Sequence, residues 1–219
     1  MRFGALVATA LLAFCGSAVF VDEARADGVP RGFDGHFDYW VLALSWSPQH
    51  CATTQKPDTT QCGAQRSYGF VVHGLWPQYE RGFPSSCGKA AYVPEALIDS
   101  LLPIMPSKPL ILHEWRKHGT CSGLDAQHYF GKLRQVFEKL RIPSVYRALD
   151  QPLLQAPQQI ESEWMRSNPG LRADGIALQC SGRYFSELRI CYDRQMDPRA
   201  CGRDLDDRCD AQALFRPLR

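Results

Sequence analysis

Nine cysteines stand in this chain, and their distribution limits the fold more than any other feature. Cys15 lies in an apolar run from Ala5 to Phe20 that follows Arg2 and leads to Ala24-Arg25-Ala26, the small-residue pattern of a leader cleavage site. The reading is a signal peptide over 1–26, removed after Ala26, and a mature single domain over 27–219. An uncleaved anchor is the rival, and the apolar run is short for a membrane span. Eight cysteines remain: Cys51, Cys62, Cys87, Cys121, Cys180, Cys191, Cys201 and Cys209. An even number in an exported chain points to disulfides formed in an oxidising compartment, secreted or periplasmic. The C-x-x-C spacing of structural zinc sites does not occur. Spacing alone cannot choose the connectivity; local closures are expected, with 180–209 acting as one cluster of four.

Charge narrows the function. The formal net charge of the whole chain is +2. Arg2, Arg25, Asp22 and Glu23 cancel within the leader, so the mature chain keeps that value. Such a balance is too weak to bind nucleic acid through an overall field, so any polyanion must be met by a local site.

Periodicity supplies the architecture. FDYWVLALSW (37–46) reads as a buried strand, and SYGFVVHG (67–74) as a second that delivers His73 at its end, with Pro77 expected to stop the ladder. The polar interval between Cys51 and Cys62 is expected to be a disulfide-closed loop. Pro94 opens a helix over 94–105, and a Pro-rich break at 103–109 precedes a HEWRKH helix. Asp125 caps a helix whose Tyr129, Phe130, Leu133, Val136, Phe137 and Leu140 recur at helical spacing. Pro157 starts another. GIALQC (175–180) and RYFSELRICYD (183–193) return to strand around a Ser181-Gly182 turn. Strands, then helices, then strands predict an α+β domain: an antiparallel sheet packed with several helices and tied by disulfides.

Chemistry concentrates in two stretches, VVHGLWP (71–77) and HEWRKHGTC (113–121). HEWRKH comes close to the HExxH signature of zinc proteases, but His113 and His118 are five apart. At about 100° per residue they diverge by roughly 140°, so a helix cannot point both at one metal. The same arithmetic aligns His113 with Lys117 and Glu114 with His118. Gly119 reads as a left-handed helix stop, which places His118 at a helix end, where the backbone partial charge favours its protonated form. No G-x-S-x-G stretch suggests a serine hydrolase, and a chain whose cysteines are all paired offers no thiol nucleophile.

FVVHGLWP and HEWRKHGTC together resemble the two catalytic motifs of the ribonuclease T2 family, and LALSWSPQHC (42–51) resembles its first core strand. The resemblance runs over most of 37–209 in motif order and cysteine placement. It implies a metal-independent endoribonuclease that needs no cofactor. His118 would be the base, His73 the acid and His113 a phosphate ligand, with Glu114 and Lys117 stabilising the transition state. Products would be 2′,3′-cyclic phosphates, hydrolysed more slowly to 3′-phosphates. It further implies base contacts by Trp76 and Tyr79 and the pairs Cys51–Cys62, Cys87–Cys121, Cys180–Cys209 and Cys191–Cys201. The implied partner is single-stranded RNA, with no DNA cleavage, no membrane contact after leader removal and a monomeric state. Gln78 departs from relatives that carry an acidic residue after the HGLWP proline, so no base preference follows. Two rivals remain: a zinc hydrolase built on HEWRKH, and a non-catalytic RNA-binding or signalling protein on the same fold.

Overall fold

The computed structural model describes residues 35–56 and 58–218 together with Met1. The expected leader beyond Met1, with its cleavage site, lies outside the described residues.

The predicted first strand is β1 (Tyr39–Trp46), and the next is β2 (Phe70–Gln78). They pair antiparallel, with Tyr39 opposite Gln78 and Trp46 opposite Phe70. On its other side β1 pairs with β5 (Tyr184–Tyr192), which also takes β4 (Ile176–Ser181) through a turn at Gly182. Gly182 has φ +57°, the left-handed conformation that costs glycine no Cβ clash. Two short strands, β3 (Leu153–Gln155) and β6 (Ala213–Phe215), pair with one another. Beyond the end of β1, β6 joins β5 at the parallel pair Tyr184–Leu214. The sheet is therefore antiparallel through its four long strands and mixed at one corner.

Pro77 does not stop the ladder as expected. It sits opposite Trp40 inside β2, and β2 is an edge strand, where proline's missing N–H need not face a neighbour. The Cys51–Cys62 interval also departs from a plain loop. It is framed by short helices α1 (Ser47–Thr53) and α2 (Thr59–Cys62), the latter capped by the Asp58 side chain on the Thr60 amide at 2.9 Å.

Four helices cover the apolar face: α3 (Glu95–Leu101), α4 (Lys108–Lys117), α5 (Ala126–Lys139) and α6 (Pro157–Ser167). Asp125 caps α5 as expected, accepting the His128 amide at 2.8 Å. Tyr129, Phe130, Leu133 and Val136 turn inward from it, and the Tyr129 hydroxyl donates to the Leu75 carbonyl at 2.8 Å. The centre of the core is aromatic. Trp46, Phe70 and Phe185 from the sheet meet Tyr146 and Trp164, with Phe185 and Phe215 stacked at 4.3 Å. Each such pair adds about 0.5–1.5 kcal/mol beyond the area it buries. This stiff half of the molecule is the platform on which the polar face of the sheet is built.

Among the described residues the bridges are Cys51–Cys62, Cys87–Cys121, Cys180–Cys209 and Cys191–Cys201, the pairs that the resemblance implies. Among the described residues no helix is long and apolar enough to cross a membrane.

Candidate active site

A register break places the first histidine. Ala43 pairs with Gly74 but Leu44 pairs with Val72, so His73 is an extra residue on β2. Such a bulge re-aims the side chains around it. Phe70 and Val72 enter the main core before the bulge and Leu75 after it, while Trp76 packs with Val41 and Cys191 on the opposite face. A regular strand would send residues three apart to opposite faces. The bulge puts His73 and Trp76 on the same one.

The other motif arrives along that edge strand. Ser107 caps α4 by accepting the Leu110 amide, Pro109 stands in its first turn, and Ile111 and Trp115 enter the core. Glu114 is buried against β2, and its Oε2 accepts the Trp76 indole N–H at 2.6 Å. Gly74 permits that approach, because a Cβ there would overlap the Glu114 carboxylate. His118 is the C-terminal cap of α4. Gly119 is not left-handed: it opens a 3₁₀ turn, Gly119–Cys121, and a Cβ would collide with the Trp115 ring. Its smallness serves packing rather than backbone freedom. The Cys87–Cys121 bridge then ties this turn to the loop after β2, helped by the Ser86 amide donating to the Lys117 carbonyl at 2.8 Å.

The result is a cavity of about 390 Å³ lined by His73, Trp76, His113, Glu114, Lys117 and His118, the residues that the two motifs nominate. Trp76 stands between the catalytic candidates, its ring 5.1 Å from that of His73 and 5.2 Å from that of His118. The two imidazoles are therefore no further apart than the sum of those distances. Tyr79, expected to touch a base, packs instead against the main core and is absent from the cavity lining. Strand alternation after the bulge sends it to the face opposite Trp76 and Gln78.

The two imidazoles have contrasting surroundings. Burial would lower the proton affinity of His73, but the Glu187 carboxylate, at 2.5 Å from Nδ1, outweighs it, and Glu114, at 3.8 Å from Nε2, adds to the effect. The pKa of His73 is raised. His118 is 4% exposed, and its Nδ1 has no hydrogen-bond partner among the described residues. Burial first, then the charges of Lys117, His73 and His113, bring its pKa down to about 3. This reverses the expectation of a protonated helix-end histidine: burial beside a lysine overrides the helix field. His113 is also lowered, by partial burial and by Lys117 and Arg116. Glu114 is raised, its burial outweighing His73 and the indole.

Sequence reasoning missed the other walls. Glu187 and Arg189 lie on the site face of β5, opposite Ser45 and Ala43, and joined by a 2.7 Å bond from Arg189 Nε to Glu187 Oε1. The signal was present: two opposite charges at period two, alternating with apolar Leu188 and Ile190, in a stretch read as strand. Arg189 lines the cavity with Glu187 behind it, and Val41, Gln78, Phe83 and, from the C-terminal loop, Asp204, Leu205 and Arg208 complete the lining. The loop is held by the bridges at Cys201 and Cys209, and Asp204 accepts the Gly82 amide at 2.6 Å. No sequence signal marks these loop residues. Among the described residues, no group of three or more His, Cys, Asp or Glu converges as a metal set.

Comparison with known proteins gives a consistent result. The description "Ribonuclease T2 family" matches residues 37–201. A ribonuclease of Aeromonas hydrophila is 40% identical over 185 residues, which cover 81% of this chain and 82% of that protein. A probable ribonuclease of Haemophilus influenzae is 34% identical over 192 residues, covering 81% of this chain and 65% of its own. Among solved structures, an RNase-related protein from Calystegia sepium superposes with a TM-score of 0.66 at 22% identity, over 84% of this chain and 98% of that one. That last likeness is one of fold.

Proposed function

Because the chain belongs to the ribonuclease T2 family and is an endoribonuclease of that type, we propose that it cuts single-stranded RNA without a metal, with His118 as base and His73 as acid. RNA carries its own nucleophile. His118 takes the proton from the 2′-hydroxyl, the 2′-oxygen attacks phosphorus, and His73 protonates the departing 5′-oxygen. The first product is a 2′,3′-cyclic phosphate. Water then opens it to a 3′-phosphate, with the two histidines exchanging roles.

The observation that carries this reading is the placement of two imidazoles against one indole, His73 bonded to a carboxylate and His118 buried without one. A base must be neutral and an acid protonated at the same pH, and groups whose environments push their pKa values apart can hold those states together. His118 is lowered to about 3, and His73 is raised. Each positioned acid or base contributes about 10²–10⁴-fold, or roughly 3–5 kcal/mol. Lys117 and His113, on the same wall of the cavity, face the phosphate and stabilise the charge that builds on the phosphorane. Glu114 orients the indole, and Trp76 offers a ring against which a base can stack, worth about 1–3 kcal/mol. We also place the enzyme outside the cytoplasm: four disulfides require an oxidising compartment, and the leader expected over 1–26 supplies the route.

Incubation with single-stranded RNA in excess EDTA, followed by end-group analysis, tests the reading. The expected result is undiminished cleavage with transient cyclic-phosphate ends. Loss of activity on chelation, equal cutting of DNA, or 5′-phosphate ends would each refute it.

A further inference from the structure

His73 is held by more than its own motif. Its Nδ1 meets Oε2 of Glu187 at 2.5 Å, and the other oxygen of that carboxylate accepts from Arg189 Nε at 2.7 Å. Glu187 is 7% exposed, and the Arg189 guanidinium lies over the Trp76 ring at 5.1 Å. Burying a carboxylate in a sheet is costly unless its oxygens are satisfied. Here both are satisfied, one by the imidazole and one by the guanidinium. A sheet that needed only an ion pair could have placed Glu187 and Arg189 at solvent. Instead Glu187 is buried, and Arg189 lies across the ring that the mechanism uses.

We propose that Glu187 and Arg189 form a positioning pair for the proton donor: Glu187 accepts the Nδ1 proton and fixes the ring so that Nε2 serves the leaving oxygen, while Arg189 holds the carboxylate and limits how strongly it retains that proton. The proposal rests on the reading of His73 as the acid. It also explains why two like side chains keep separate tasks, since His118 has no carboxylate partner of this kind among the described residues. Beyond Glu187 and Arg189 on β5, the charged and titratable groups around His73 are Glu114, Lys117, His113 and His118 of α4 and its cap, His50 of α1, and Asp204 and Arg208 of the C-terminal loop that lines the same cavity. These stay the same in the test below.

The two members act on His73 with opposite sign: Glu187 favours the imidazolium and Arg189 disfavours it. The upper limb of the kcat/KM–pH profile reports the donor. Glu187→Gln keeps an acceptor for Nδ1–H but removes the charge, and the limb is expected to move to lower pH by about one to three units. Arg189→Gln is expected to move it the other way. With an RNA analogue bearing a p-nitrophenolate leaving group, which needs no protonation, both shifts should vanish. His73→Ala separates the two claims. If that variant keeps wild-type activity on RNA, the acid assignment itself fails. If it is inactive while Glu187→Gln and Arg189→Gln leave the limb in place, or move it in one direction, only the positioning pair is refuted. Ring NMR of His73 in each variant gives the same answer for a protein too weak in turnover to assay.

Discussion

His73 and His118 touch the same indole, yet the chain treats them as different groups. His73 sits on a bulged strand between two carboxylates, which raise its pKa; His118 closes a helix in a buried pocket with cations around it, which lower its pKa. The imidazole is identical in both. What differs is burial and the sign of the nearest charge, and on the proposed mechanism that difference divides one side-chain type into a donor and an acceptor.

The comparison breaks most sharply if either ring is removed. His73→Ala and His118→Ala should each lose about 10²–10⁴-fold in kcat on RNA. The leaving group then tells them apart. A substrate releasing p-nitrophenolate should restore His73→Ala toward wild type and leave His118→Ala inactive, because only the proton donor becomes dispensable. Equal restoration of both variants would erase the distinction.

The scaffold behind the pair comes next. Replacing Cys87 and Cys121 with serine frees the loop after β2 from the turn that follows His118. Urea unfolding should show a loss of about 2–4 kcal/mol, with a fall in activity at temperatures where the variant is still folded. Loss of Cys51–Cys62, which joins two helices outside the cavity lining, should cost stability without that fall in activity. Trp76→Phe removes the 2.6 Å bond to the buried Glu114 carboxylate. A hydrogen bond to a charged group is worth about 1.5–3 kcal/mol, and kcat/KM should drop accordingly.

The last effect is on stability as a function of pH. The folded pKa of His118 is about 3 against an ordinary 6.5, so the unfolded chain takes up a proton that the folded one refuses. Its contribution is intact above about pH 6.5 and is lost as pH falls toward 3, at no more than about 1.4 kcal/mol per pH unit. His73, with a raised pKa, works in the other direction: its stabilisation is full below about 6.5 and fades as pH rises through the folded value. His118→Asn should flatten the acid side of a stability–pH curve measured by denaturation, and a variant with the wild-type slope would show that the ring is not buried neutral.

The same contrast explains what could be read from the residues. HGLWP and HEWRKH nominate six side chains, and all six line one cavity, because a motif records neighbours along the chain. The helix at 126–139 was legible from its cap and its apolar period, and β1 from its length and aromatic content. Glu187 and Arg189 come to His73 from more than a hundred residues away, through a register that only the folded sheet defines. The bulge at His73 has no sequence mark, so the face on which Tyr79 would emerge was not legible either. Pro77 resembles a strand stop because nothing local says that β2 is an edge. Helix-end position suggests a charged His118, whereas its pKa is decided by burial, a property of the whole fold.

NMR titration of the two histidine rings in substrate-free protein tests the central claim most directly. The account predicts that His73 remains an imidazolium above pH 6.5, with Nδ1–H in its bond to Glu187, while His118 stays neutral down to about pH 3. Two rings titrating together near 6.5, or a protonated His118 beside a neutral His73, would contradict it.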